Sequence, residues 1–159
     1  MSSSARIRIL LDSTYLLPIV GVNVEGVEGT LALLKKLRDS GVAEYYYTQF
    51  NILEIVGKLS RVGYNSSRAL AGLASIFEEF IEESPTVEGV MKALELRRKG
   101  HRDLIDLLLY TTSLTRGLLF LTRDVHLVGF LKKQGEPTHN VILEEELAEK
   151  YGQSPAKNI

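Results

Sequence analysis

The chain has 159 residues, of which 45% are hydrophobic and 25% charged, a composition that suits one ordinary globular domain with its own core. A formal net charge of -1 excludes a globally basic nucleic-acid glove and leaves room only for a local basic patch. The absence of cysteine excludes disulfides, thiolate nucleophiles and zinc-thiolate sites.

In chain order, Arg6–Leu11 (RIRILL) is predicted as a strand that runs into Asp12. TYLLPIVG is a brief helix broken near Pro18 and Gly21. EGTLALLKKLRDSG is a helix with Leu31, Leu34 and Leu37 on one face, stopped by Gly41. Glu44–Tyr47 (EYYY) is a short aromatic strand, which favours a core role for Tyr45–Tyr47 over a base-stacking one. Thr48 is a candidate N-cap for the next helix, expected to bury Ile52, Ile55, Val56 and Leu59. A helix capped by Asn65 or Ser66 follows, then TVEGVMKALELRRKG, then DLIDLLLYTTSLTRG. LLFLT is a strand, VHLVGFLKKQG a helix and HNVIL a last strand. The order β-α-α-β-α-α-α-α-β-α-β implies a three-layer α/β sandwich with a mostly parallel central sheet. One domain is expected over residues 1–150, with a small polar tail over 151–159 that reads as flexible. No apolar run approaches the ~20 residues of a membrane span, and Asp12 interrupts a run already too short for a signal peptide. A cytoplasmic protein without a membrane partner is therefore expected.

Parallel strands present ligands at their C-terminal ends, and two apolar runs, IRILLDST and LLFLTRD, each aim a carboxylate off such an end, Asp12 and Asp124. Either could equally be the N-cap of the helix after it. Asp106 lies among Leu104, Ile105, Leu107, Leu108 and Leu109, in a helix apolar nearly all round and so predicted to be buried. A carboxylate there is costly unless paired, hydrogen-bonded or metal-bound. Its bland explanation is a place in the first turn behind an Asp103 N-cap, where it suits the helix dipole. Glu54 has Lys58 at i+4, and an exposed ion pair would account for it alone. Together, two strand-end acids, a buried helical acid and a Glu on another helix can converge on one cleft. Gathered carboxylates repel, and a hard divalent cation resolves that repulsion through oxygen ligands. Such a site activates water and clamps a phosphodiester.

This pattern resembles the PIN-domain family of metal-dependent nucleases, over most of the chain from Ile7 to Leu143. ILLDST supplies the opening strand and Asp12; TQFNILEIVGKL supplies Glu54 on the helix after the second strand. HRDLIDLLLYTTS supplies Asp106 early in a buried helix, with Asp103 at its cap, and LFLTRD supplies Thr122 and Asp124. Two departures concern neighbours and not acids: the small residues usual after the third acid are replaced by LLLYTTS, and DST stands where Asn commonly follows Asp-Thr. The resemblance implies a Mg²⁺- or Mn²⁺-dependent endoribonuclease, with Asp12, Glu54, Asp106 and Asp124 as catalytic metal ligands. Ser13, Thr14, Asp103 and Thr122 would support them. Many prokaryotic members of this size resemble toxins of VapBC-type toxin–antitoxin pairs, held by a small antitoxin and often dimeric; others process RNA alone. Arg123, next to an acid, is a candidate substrate contact, and Lys58, Arg61 and Arg102 could lie at the cleft mouth.

Other chemistries lack their residues. A haloacid-dehalogenase-type phosphatase needs a second Asp where Thr14 stands, and a receiver domain needs an acidic pair where Asp12 is alone. No Gly-Lys-Ser/Thr, GxGxxG or HExxH motif is present. The scattered His101, His126 and His139 read as surface or cap residues. The alternative in another class is a catalytically silent PIN-like scaffold that binds protein or RNA. Mn²⁺ affinity would separate the two.

Overall fold

The computed structural model describes residues 5–152. Five parallel strands form the sheet: β1 (Ile7–Leu11), β2 (Ala43–Tyr47), β3 (Ile81–Glu82), β4 (Leu119–Thr122) and β5 (Val141–Leu143), in spatial order β3-β2-β1-β4-β5. Ile9 stands opposite Tyr45 on β2 and Leu119 on β4, so β1 is central. Residues 13–15 and 17–20 form two short 3-10 turns. The helices are α1 (Glu28–Asp39), α2 (Gln49–Val62), α3 (Ser66–Glu79), α4 (Val87–Arg98), α5 (Leu104–Arg116), α6 (Val125–Lys133) and α7 (Glu144–Tyr151).

Successive strand side chains point to opposite faces, and both faces are covered. Ile9, Leu11, Tyr45, Tyr47 and Leu121 pack with Leu34 and Leu37 of α1, Ile55 of α2, Ile76 of α3 and Leu147 of α7. Leu10, Tyr46 and Phe120 pack with Leu96 of α4, Leu107 and Tyr110 of α5, and Leu127 and Leu131 of α6. Burial on both faces is why Ile9–Leu11 of β1 and Leu119–Leu121 of β4 read as continuous apolar runs and not as alternating ones. The expected three-layer sandwich with a parallel sheet is therefore present, and the sheet is parallel throughout.

Several details differ from expectation. Val56 is exposed at 49%, and Asn51 takes a buried place on the same helix. The two-residue β3 and the acidic α7 were not anticipated. The end of the expected tail, residues 153–159, lies outside the described residues. None of the described helices is long and apolar enough to cross a membrane.

From β1 the chain builds outward to β2 and β3; later it returns to the other side of β1 and adds β4 and β5. That reversal leaves a crevice beyond the carboxyl ends of β1 and β4, where parallel sheets place their ligands. Asp12 follows β1, and Asp124 comes two residues after the end of β4.

Candidate active site

Asp12 is only 9% exposed. Its amide donates to Leu121 O on β4 at 3.2 Å, and its Oδ2 accepts from Thr122 Oγ1 at 3.1 Å. Its side chain makes no well-formed capping hydrogen bond to the 3-10 turn that follows, although the Ser13 and Thr14 amides lie near enough to favour its charge. Burial, and then the Glu54 charge, push its pKa up to about 6. Thr122 and the backbone of Ser13 and Thr14 temper that rise.

Glu54 is held from a distance in sequence. Thr48 caps α2, its hydroxyl accepting from the amides of Phe50 and Asn51, while its own amide donates to Asn51 Oδ1 at 2.8 Å. This reciprocal box turns Asn51 inward, where Nδ2 donates to Leu11 O and to Ser13 Oγ, both at 3.0 Å. The Ser13 hydroxyl then donates to Glu54 Oε1 at 2.6 Å. Burial raises the Glu54 pKa and Asp103 adds to the rise, against the Ser13 hydrogen bond. The expected pairing with Lys58 is not formed among the described ion pairs, so the cheap explanation of Glu54 fails.

Asp103 caps α5, its Oδ1 accepting from the Asp106 amide at 3.0 Å. Asp106 itself is 9% exposed, as buried as Asp12. Burial is the largest cause of its raised pKa, about 8, followed by the charges of Asp12 and Asp103; Asp124 lies within hydrogen-bonding reach of the protonated carboxyl. Asp124 caps α6 through Oδ1, which accepts from the amides of His126 and Leu127 at 2.9 and 3.1 Å. Thr122 Oγ1 accepts from the Asp124 amide at 3.1 Å and donates to Asp12, linking the two strand-end acids. Asp124 is thus an N-cap as well as a neighbour of Asp106.

Among the described ion pairs, no Lys or Arg engages Asp12, Glu54, Asp103, Asp106 or Asp124. Among the described residues, no three acidic or His side chains stand close enough together to hold a metal ion as they are. Asp106 and Asp124 lie within hydrogen-bonding reach of each other, while Asp12 and Asp103 act on Asp106 through charge, over the longer range of the Coulomb interaction. The cavities found between α1 and α3 and along α4 do not include them.

Arg123 corrects an expectation. Its Nε donates to Glu144 Oε1 at 2.9 Å, Nη1 to Glu25 O at 2.9 Å and Nη2 to Gly26 O at 3.1 Å. Tyr15 Oη donates to the same Glu144 oxygen at 2.7 Å. The guanidinium is a strap between α7 and the segment before α1, and is not free for substrate. Sequence reasoning missed Asn51, Thr48 as its partner, and Glu144; only the Thr-x-x-Asn spacing at the start of α2 could have signalled Asn51.

No family profile matches the sequence, and no curated protein is similar to it in sequence. Solved structures do match in shape. A chain of the Rickettsia felis VapBC2 complex, bound to a DNA fragment from its promoter, aligns at TM-score 0.58 and 15% identity, covering 86% of this chain and 97% of that one. Mycobacterium tuberculosis VapC20, a toxin that cleaves the sarcin–ricin loop, aligns at TM-score 0.57 and 16% identity, covering 77% and 95%. A chain of a toxin–antitoxin complex from Klebsiella pneumoniae aligns at TM-score 0.56 and 12% identity, covering 86% and 97%. The chain has a VapC-like PIN-domain fold.

Proposed function

We propose that the chain is an endoribonuclease of the toxin type, dependent on Mg²⁺ or Mn²⁺ and restrained by a small antitoxin protein. One observation carries the reading: the buried Asp106 carboxyl, its pKa raised to about 8 beside Asp12, Asp103 and Asp124, forms no ion pair with a Lys or Arg among the described residues. A structural acid would be neutralised by a cation from its own chain. Perturbed carboxylates gathered in the crevice of a parallel sheet mark a functional site.

The donor set fits a hard cation, since every candidate ligand atom is a carboxylate oxygen. Asp12, Asp106, Asp124 and Glu54 would hold it, with Asp103 at the margin. A bound divalent ion supplies the positive charge that activates an attacking water and stabilises the transition state. The chain's own residues prepare that arrangement. Thr122 fixes the Asp12 carboxylate, Ser13 fixes Glu54, and the α6 amides fix one oxygen of Asp124 and leave the other available. Asp106 holds its proton while the site is empty, which lessens repulsion among the acids, and would give it up to a bound cation, which would restore its charge as a ligand.

The test is incubation of purified protein with structured and single-stranded RNA, with Mg²⁺, Mn²⁺ or chelator. Cleavage should need the metal and leave 5′-phosphate and 3′-hydroxyl ends. A 2′,3′-cyclic phosphate would instead make the 2′-hydroxyl the nucleophile and overturn the mechanism. The silent-scaffold reading draws support from the lack, among the described residues, of three acids within gripping distance. Titration with Mn²⁺ decides, because a scaffold would show no saturable site. Purification from the native host with a small bound protein would support the antitoxin.

A further inference from the structure

The end of α4 and the loop into α5 read Arg97-Arg98-Lys99-Gly100-His101-Arg102. Four of the chain's 19 Lys and Arg thus fall within six residues, on a chain of net charge -1. The helix dipole favours cations in the last turn of α4, at Arg97 and Arg98. Lys99 and Arg102 lie past that turn, and the dipole does not account for them.

The fold brings this segment to the carboxylates. Thr86, which caps α4, shares a 2.7 Å hydrogen bond with Thr115 in the last turn of α5. The two packed helices therefore run antiparallel, and the end of α4 returns to the start of α5, where Asp103 and Asp106 lie. The connecting loop is held on both sides. Arg97 Nη1 donates to His101 O at 2.8 Å, and the His101 ring lies 5.0 Å, centroid to centroid, from Phe130 of α6, the helix that Asp124 caps. Gly100 takes φ +114°, which makes the reversal possible without a Cβ clash.

Arg98 and Arg102 are exposed and form no side-chain hydrogen bond or ion pair among the described residues. Among the described residues Lys99 pairs only with Glu95 at 3.2 Å, an exposed i,i+4 pair of small worth. The strip continues as a shallow groove of about 880 Å³ along the outer side of α4, lined by Met91, Leu94, Arg97, Arg98 and Lys99 among others. A polyanion approaching five acidic side chains is repelled by them, and unpaired cations on a fixed loop beside the crevice offset that repulsion.

We propose that Arg98 and Arg102, flanked by Lys99, form a phosphate-contacting strip that carries the backbone of single-stranded RNA to the carboxylate cluster. The proposal rests on RNA being the substrate, and adds the side from which the strand enters. Phosphate contacts of this kind position the strand and carry no sequence preference.

The experiment measures binding of a fluorescent single-stranded RNA oligonucleotide in chelator, so that binding is read without cleavage, as a function of salt. Each lost phosphate contact lowers the slope of log affinity against log salt by about 0.7 on a single strand. The Arg98→Ala, Arg102→Ala double variant should lose about 1.4 from that slope and bind roughly tenfold more weakly near 0.1 M salt. Arg98→Lys, Arg102→Lys should keep most of the affinity, and Lys36→Ala, an exposed cation on α1, should match the original protein. An unchanged slope in the double Ala variant overturns the strip, as does an equal loss in Lys36→Ala or an absence of RNA binding in the original protein. Cleavage is scored separately, so RNA bound through the strip but never cut would sink the nuclease and spare the strip.

Discussion

Asp106 concentrates the chemistry of the site at the scale of one residue. Asp106→Asn keeps its shape and removes a charge that burial and three neighbouring acids oppose. Cleavage should vanish, while metal-free stability stays equal or rises, because a neutral amide avoids the cost of holding a carboxyl protonated at neutral pH against its ordinary value. On the proposed reading Mg²⁺ would bind only the folded site, so at ~100 times its dissociation constant it should stabilise the original protein by about 2.7 kcal/mol. The variant should gain much less. Thermal unfolding of both proteins with and without Mg²⁺ checks this; strong destabilisation of the metal-free variant together with equal gains would make Asp106 a structural cap residue. Proton release gives an independent reading. With a pKa of about 8, Asp106 is mostly protonated at neutral pH, so metal loading should release close to one proton. Calorimetry in buffers of different ionisation enthalpy measures it, and a heat that does not vary with buffer would contradict the assignment.

Helix α3 shows how tightly the elements are fitted together. A Cβ at Gly72 would come within 2.3 Å of Ile19 O and 2.7 Å of Val20 Cα in the second 3-10 turn. Gly72→Ala therefore cannot gain the usual helix propensity; it must push α3 from the turn, at a cost of about 1–3 kcal/mol. Chemical denaturation gives the number, and a stabilised variant would show that the approach is looser than described. Elements of this kind differ in how visible they are in sequence. β1 and β4 were legible because burial on both faces writes them as apolar runs ending in an acid. The caps Thr48, Asn65 and Asp103 were legible because a cap is local. β3 was not, since two exposed residues carry no period. Nor was α7, whose opening EEE hides Leu147 and whose Glu146 side chain accepts from the Leu143 amide at 3.3 Å. The four acids could be picked out one by one from their elements. The links that hold them could not: Asn51 to Leu11 spans 40 residues and Ser13 to Glu54 spans 41, and hydrogen bonds at such separations leave no local pattern.

For the molecule as a whole, the acids set how stability answers to pH. The pKa of Asp106 is raised from 3.8 to about 8 and that of Asp12 from 3.8 to about 6. Between those limits the folded chain holds protons that the unfolded chain has released. The stabilising contribution is therefore complete below the unfolded value and is lost as pH climbs through the folded ones. The metal-free protein should melt at a lower temperature near pH 8 than near about pH 5.5, and Asp106→Asn should flatten that decline. A midpoint that rises steadily over the same range, equally in both proteins, would remove the acid cluster as its cause. Saturating Mg²⁺ should reverse the trend, since a filled site favours ionised carboxylates.

The central place of β1 has a consequence for biosynthesis. Asp12 leaves the ribosome early, yet its partner Thr122 follows 110 residues later, a delay on the order of ten seconds at ordinary rates of synthesis. Until β4 is made, β1 has an open edge on that side, and Asp106 and Asp124 have no crevice to share. Nascent chains stalled before Leu119 should cut no RNA, and cutting by such chains would disprove this order of events. The proposed nuclease would thus be harmless to its own messenger while it is being translated, because the strand that starts the protein waits at the middle of the sheet for one of the last to arrive.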